Sequence, residues 1–356
     1  MSDFVRAFLF VFLAVLCVGA WASESTLSVV RTFSTDTPPA NIAVSRSGRI
    51  FMSTHQAYGA EQKLLELLPD GGSRAYPDTQ FSPPINAVLG VIVDEQDILW
   101  FLDTSWGEDG LGRVIGWDTK NEQLYKVFYV ARPLVHKAYI LNDMAVDRKN
   151  NMIYITETAS DTTSALLVVD IDTGLIRRVL EGSKSTVAED KKMLIDGQLV
   201  KMQGQEARVG VNPITIDVKN EWVYFAPMSA ESIYRAKSAD LANPKLSAKQ
   251  LEKRVERYAA KPISDGITID QAGNIYVSDL EKNAIGMIDA QRQYRVLFQD
   301  DNLLSWVEGF ANAGKQGIYA TSNKLHLSPA FNNAEPGPDT FYLLRFEPAA
   351  FAAFGR

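Results

Sequence analysis

The sequence predicts an all-β chain: a six-bladed β-propeller with four-stranded blades, its ring closed by strands from the two chain ends. Three observations predict it. One phrase recurs six times, the recurrences are spaced like propeller blades, and both ends of the chain carry a strand-like segment.

The phrase is an apolar strand, an Asp or similar residue, a turn with Gly or Asn, then a β-branched or aromatic strand. It occupies residues 41–54, 90–103, 143–156, 213–226, 266–279 and 308–321. Its fifth residue sets a register at Ser45, Asp94, Asp147, Asp217, Asp270 and Asn312, with successive spacings of 49, 53, 70, 53 and 42 residues. Each phrase reads as two alternating strands about a tight turn, as at Gln271–Asn274. Two more strands fit in each interval, for example Ala284–Ile288 and Tyr294–Leu297. A pair of β-sandwiches would share the strand pattern but not the sixfold register. Trp100, Tyr154, Trp222, Tyr276 and Tyr319 fall at matching places and read as packing between blades.

Along the chain, the N-terminus comes first. Arg6, the 14-residue apolar run Ala7–Ala20 and the Ala20-Trp21-Ala22 site read as a signal peptide over residues 1–22. The run is short for a membrane span, which takes roughly 20 apolar residues, and bulky Leu16 argues against a lipid anchor on Cys17. Cleavage removes that Cys, the only one in the chain, and leaves no thiol. Residues 23–356 then form one propeller domain, exported to the periplasm or the medium. Leu27–Phe33 and Phe341–Phe346 share a blade and close the ring, leaving no open sheet edge. The 70-residue interval holds an insertion at about 182–210, with a type I′ hairpin signal at Asp196-Gly197. It reads as a lid over one channel mouth. Ser247–Ala260 has helical spacing.

Composition narrows the function. The 356 residues carry 36 basic and 43 acidic side chains, a net charge of −7, with pI near 5.2. That balance disfavours nucleic acid or an anionic membrane as partner. With 46% hydrophobic and 22% charged residues the chain is ordinary for a globular fold.

In a propeller the innermost strands begin near one end of the axial channel. The residues five before the register are Ala40, Leu89, Asn142, Asn212, Asp265 and Val307; those four before are Asn41, Gly90, Asp143, Pro213, Gly266 and Glu308. Asn142, Asp143, Asn212, Asp265 and Glu308 therefore form the candidate ligand-binding set. Asn142, Asn212 and Asp265 form a candidate metal set, because oxygen donors suit Ca²⁺ or another hard divalent cation. The same side chains can instead hold ordered water. No catalytic constellation emerges. His55, His136 and His326 lack metal-ligand spacing and read as structural, no G-x-S-x-G elbow occurs, and Gly107–Gly112 reads as an acidic turn.

Residues 219–235, 264–289 and 321–332 resemble the bacterial branch of the major royal jelly protein/yellow family, and the resemblance runs from about Ile42 to the C-terminal strand. It implies export, a six-bladed fold and a small-molecule site at the channel mouth. In that family clear enzymatic activity is not general. Leu141-Asn142-Asp143-x-x-Val146-Asp147 and Asp265-Gly266-x-x-Ile269-Asp270 are similar to motifs of the gluconolactonase/senescence marker protein family. That likeness implies a divalent-cation-dependent lactonase with Asn142, Asn212 and Asp265 as ligands. The family's first-blade Glu is replaced here by Ala40, for which Glu308 is the candidate substitute. Three readings follow: a small-molecule-binding propeller, a metal-dependent lactone hydrolase, and a protein-interaction scaffold.

Overall fold

The computed structural model describes residues 26–104, 111–136, 139–160, 162–202, 204–331 and 337–356. The expected signal segment, with Cys17, and residues 107–110 of the acidic turn lie outside the described residues.

Six four-stranded antiparallel sheets form the blades. The first blade runs outward from Pro39–Val44 through Ile50–Thr54 and Leu64–Leu67 to Ser73–Ala75. The next four repeat this order, starting from innermost strands Val88–Val93, Ile140–Asp147, Val211–Ile216 and Ile267–Ile269. The sixth blade takes three strands from the C-terminal part of the chain, Val307–Asn312, Ile318–Ser322 and Phe341–Phe346, and its outermost strand, Leu27–Phe33, from the N-terminal part. Innermost strands of successive blades touch, and the first touches the sixth. The expected closure is present. The N-terminal strand, however, is itself an edge, with Val29 and Val30 on the surface. Closing the ring leaves the rim of each blade open.

The turn chemistry explains the recurring Asp. Asp270 accepts the Ala272 and Asn274 N–H groups through Oδ1 and the Tyr276 hydroxyl through Oδ2. Asp94 does the same for Gln96, Ile98 and the Trp100 indole. A carboxylate that ties the turn and the aromatic ring together fixes the hairpin and its packing at once. Trp100, Tyr154, Tyr276 and Tyr319 are buried between blades as expected. Trp222 is not: it lies half-buried under the Arg235 guanidinium, 3.9 Å from its ring centre, and Tyr224 takes the inter-blade place.

Two further expectations are corrected. The sixth-blade register is Ala313, because the bond Ala313 N–H to Gly317 O matches Asp270 N–H to Asn274 O and Asp94 N–H to Ile98 O. The shift moves Glu308 into the inner ring in place of Val307. The helix over residues 247–260 is confined to Ala248–Glu252, capped by Ser247 and Gln250. Glu256–Ala260 is instead the outer strand of the fourth blade, since the free edge of Ser232–Lys237 supplies hydrogen bonds that outweigh helical propensity. Among the described residues no helix is long and apolar enough to cross a membrane.

Candidate functional site

In five blades the innermost strand bulges at its start, where its pairing slips between Pro39 and Ile42, Val88 and Val91, Leu141 and Met144, Val211 and Ile214, and Val307 and Phe310. A bulge frees two residues from the ladder and redirects their side chains. Here the freed pairs are 40–41, 89–90, 142–143, 212–213 and 308–309. In four blades a hydroxyl on the second strand receives the stranded N–H: Ser53 for Asn41, Thr156 for Asp143, Ser278 for Asp265, and Thr321 for Gly309. The blades approach closely at this level. A Cβ on Gly266 would stand 2.1 Å from the Glu308 carbonyl oxygen, and one on Gly90 would stand 2.6 Å from that of Asn142.

The bulges bring Asn142, Asn212 and Glu308, and the segment just before the fifth inner strand brings Asp265, to the floor of one chamber of about 490 Å³. Asp143 points elsewhere. It lines the narrow tunnel below, with about 20 Å³ of space, where its Oδ1 accepts from Asn41 Nδ2 (3.2 Å) and its neighbour Met144 N–H (2.8 Å). The candidate set thus divides into four residues in the chamber and one beneath it.

Asp265 is held from two sides. Asn212 Nδ2 donates to Oδ1 at 2.8 Å and the Trp306 indole N–H to Oδ2 at 2.7 Å. Trp306 is fully buried with φ of 58°, a strained backbone for a bulky residue. Glu308 accepts from Asn323 Nδ2 through Oε2, while its Oε1 faces His55 Nε2 at 3.7 Å. The Ala57 N–H donates to His55 Nδ1 at 3.1 Å, so the neutral ring carries its proton on Nε2, toward Glu308. Burial holds His55 neutral and lowers its pKa to about 4. Burial also raises Asp265 and Asp143 to about 7, and the Asp265 charge adds to the rise at Asp143. Glu308 rises well above the carboxylate range through burial and its two acidic neighbours.

The chamber walls are apolar. Trp306, Phe331, Leu325 and Met228 contribute, with Met202 and Val209 from the insertion. The insertion forms two short hairpins, Leu194–Ile195 with Gln198–Leu199 and Lys201–Met202 with Gln205–Glu206. Asp196 and Gly197 both have positive φ, as a type I′ turn requires. The lid expectation put the insertion over a channel mouth, and it packs on that face, in one core with Met228, Ile263, Trp306 and Leu325. Reading the sequence for repeats missed His55, Trp306 and Asn323. His55 directly follows the first repeated phrase, Asn323 directly follows the sixth once its register is moved by one, and Trp306 directly precedes an innermost strand.

The donor set argues against a dedicated divalent-cation site. Both oxygens of Asp265 already accept an N–H, and an indole N–H can only donate. Ala40 offers no side-chain oxygen, and Glu308 is turned to Asn323 and His55. Among the described residues no three His, Cys, Asp or Glu side chains are placed to hold a metal ion.

The fold and this mouth define the class: a six-bladed propeller with a closed ring and a polar-floored chamber. Residues 86–335 match the model of the major royal jelly protein family, and the chain belongs to that family. No curated protein matches in sequence. Solved structures of similar fold include a luciferin-regenerating enzyme (12% identity, TM-score 0.59, covering 93% of this chain and 98% of that one). A gluconolactonase from Xanthomonas campestris is similar at 14% identity and TM-score 0.54, with 89% of each chain covered. So is regucalcin, a calcium-binding protein from Agrobacterium tumefaciens, at 14% identity and TM-score 0.53, covering 90% of this chain and 96% of that one. At such identities the likeness establishes the fold.

Proposed function

We propose that the chamber binds a small organic cation, an amine with an apolar or aromatic body, and that the protein is exported to do so. One observation carries the reading. Asp265 and Glu308 are buried together at the floor of an apolar chamber, and their bonding partners are neutral: Asn212, Trp306 and Asn323. Two carboxyl groups so placed stay protonated or gain from a positive charge brought in by a ligand. Phe331 offers ring surface to its body. Export rests on the N-terminal sequence pattern.

The lactonase reading draws on the Asn142, Asn212 and Asp265 motif, but the occupied oxygens of Asp265 and the alanine at position 40 count against it. Metal analysis of freshly purified protein separates the two. Stoichiometric calcium that disappears in Asp265→Ala would replace our reading with that one.

A thermal-shift panel of tryptamine, phenethylamine and neutral analogues tests the amine reading. A ligand at about 100 times its Kd adds about 2.7 kcal/mol of stability. The reading expects upward shifts with amines and none with the neutral analogues. A panel in which no amine raises Tm contradicts it.

A further inference from the structure

The chamber holds a cation as well as its two carboxyl groups. Lys63, which directly precedes the third strand of the first blade, lines the same space. Its Nζ donates to Gln56 Oε1 and to Ala60 O (2.7 Å), both uncharged oxygens. Gln56 is fixed in turn, since its own amide donates to Thr54 O at 3.2 Å, so the ammonium is held in place. Two bonds leave one of the three Nζ donors for another partner. Asp265 and Glu308 bond to Asn212, Trp306 and Asn323, and neither pairs with Lys63. A basic group and two acidic groups thus share one chamber without pairing with each other.

We propose that the ligand is a zwitterion, an amino-acid-like molecule whose ammonium group meets Asp265 and Glu308 and whose acid group meets Lys63. Lys63 is then the residue that distinguishes an amino acid from the corresponding amine. The inference rests on the amine reading above and adds the acid group. Partial desolvation lowers the Lys63 pKa and the Glu61 carboxylate offsets part of that effect, so an incoming anion would add to an interaction already present. His55 adds no second positive charge, because burial keeps it neutral.

Matched probe pairs test the proposal on the full-length protein by calorimetric titration: tryptamine against tryptophan, and phenethylamine against 4-(2-aminoethyl)benzoic acid. The two acids differ in the distance between their charges. At least one acid-bearing probe should bind roughly tenfold or more tighter than its parent amine, the scale of a hydrogen bond to a charged group. Lys63→Met should bring that ratio near one, and Lys63→Arg should keep it. The parent amine, relieved of a like charge, should bind Lys63→Met at least as tightly. If amines bind but no acid-bearing probe exceeds its parent, or if Lys63→Met leaves the ratio intact, the zwitterion proposal is overturned and the amine reading stands. If no probe of either kind binds the wild type, both fall. The wild-type comparison decides even if a variant fails to fold.

Discussion

At Asp265 two donors of different origin meet one carboxyl group. Asn212 comes from the neighbouring blade at the repeated position, whereas Trp306 comes from a loop with no repeat register. That difference explains what could be read in the sequence. Asn142, Asn212 and Asp265 share an offset from a recurring phrase, so arithmetic finds them. Trp306 and His55 reach the chamber through backbone turns, including a left-handed Trp, that no periodicity encodes. The protonation of these groups has a consequence for stability. Asp143 and Asp265 hold protons up to about 7 when folded, and burial pushes Glu308 well above the ordinary carboxylate range as well, whereas unfolded carboxyl groups release theirs near 4. Their contribution to stability is therefore fully present at low pH and is lost as pH rises through 7. His55 acts oppositely, its contribution growing as pH rises from about 4 to about 6.5. Above about 6.5 the carboxyl groups are opposed by Lys261, whose buried ammonium has its pKa lowered to about 7 and whose contribution grows as pH rises, but three carboxyl groups outweigh one lysine. Tm of the ligand-free protein should fall between pH 6.5 and 8, and Asp265→Asn should shrink that slope. An identical slope in the variant would show that Asp265 does not titrate there.

The bulge is the element that turns a repeated hairpin into a site. The alternating pattern announces a strand, but a one-residue bulge is invisible in it. The register of the sixth blade is misplaced by one when read from the sequence because Ala313 stands where most blades carry Asp, and the polar Asn312 comes one position earlier. The misplacement conceals that Glu308 is the equivalent of Asn142. The helix expected over 247–260 failed for a related reason, since the demand of a sheet edge in another part of the chain set Glu256–Ala260 as strand. The insertion was legible as a hairpin from Asp196-Gly197, but its attachment was not. Asp196 accepts from Asn283 Nδ2 at 2.7 Å and faces His326 Nε2 at 3.1 Å. His326 stacks on Trp306, with ring centres 5.8 Å apart and planes 12° apart. The tip of the insertion is thereby joined, through one stacked ring, to the indole that holds Asp265. Asp196→Ala removes two side-chain contacts worth about 1 kcal/mol each. Hydrogen exchange across residues 193–202 should accelerate about tenfold or more while the innermost strands stay protected. Unchanged protection in the hairpin would mean that its apolar packing alone seats the insertion.

On the scale of the whole molecule, the ring lets residues separated by up to 166 positions, Asn142 and Glu308, share a floor. The six recurrences and the two terminal strands announced that geometry, because each blade must bury both faces and a ring is the arrangement that lets every blade do so. What the ring could not announce is the chamber above it, which is built by connections of unequal length. Its charges now make a linked statement. An ammonium ion can bind only when a floor carboxyl is ionised, so binding in the region of pH 6.5 must release a proton, and affinity must rise with pH through about 7. The most direct test is calorimetric titration of tryptamine at pH 6 and pH 8, in two buffers of different ionisation enthalpy, on wild type and Asp265→Asn. The account predicts proton release near pH 6.5, tighter binding at pH 8, and a loss of tenfold or more in the variant. Binding that ignores both pH and the substitution would place the ligand away from this floor and contradict the account.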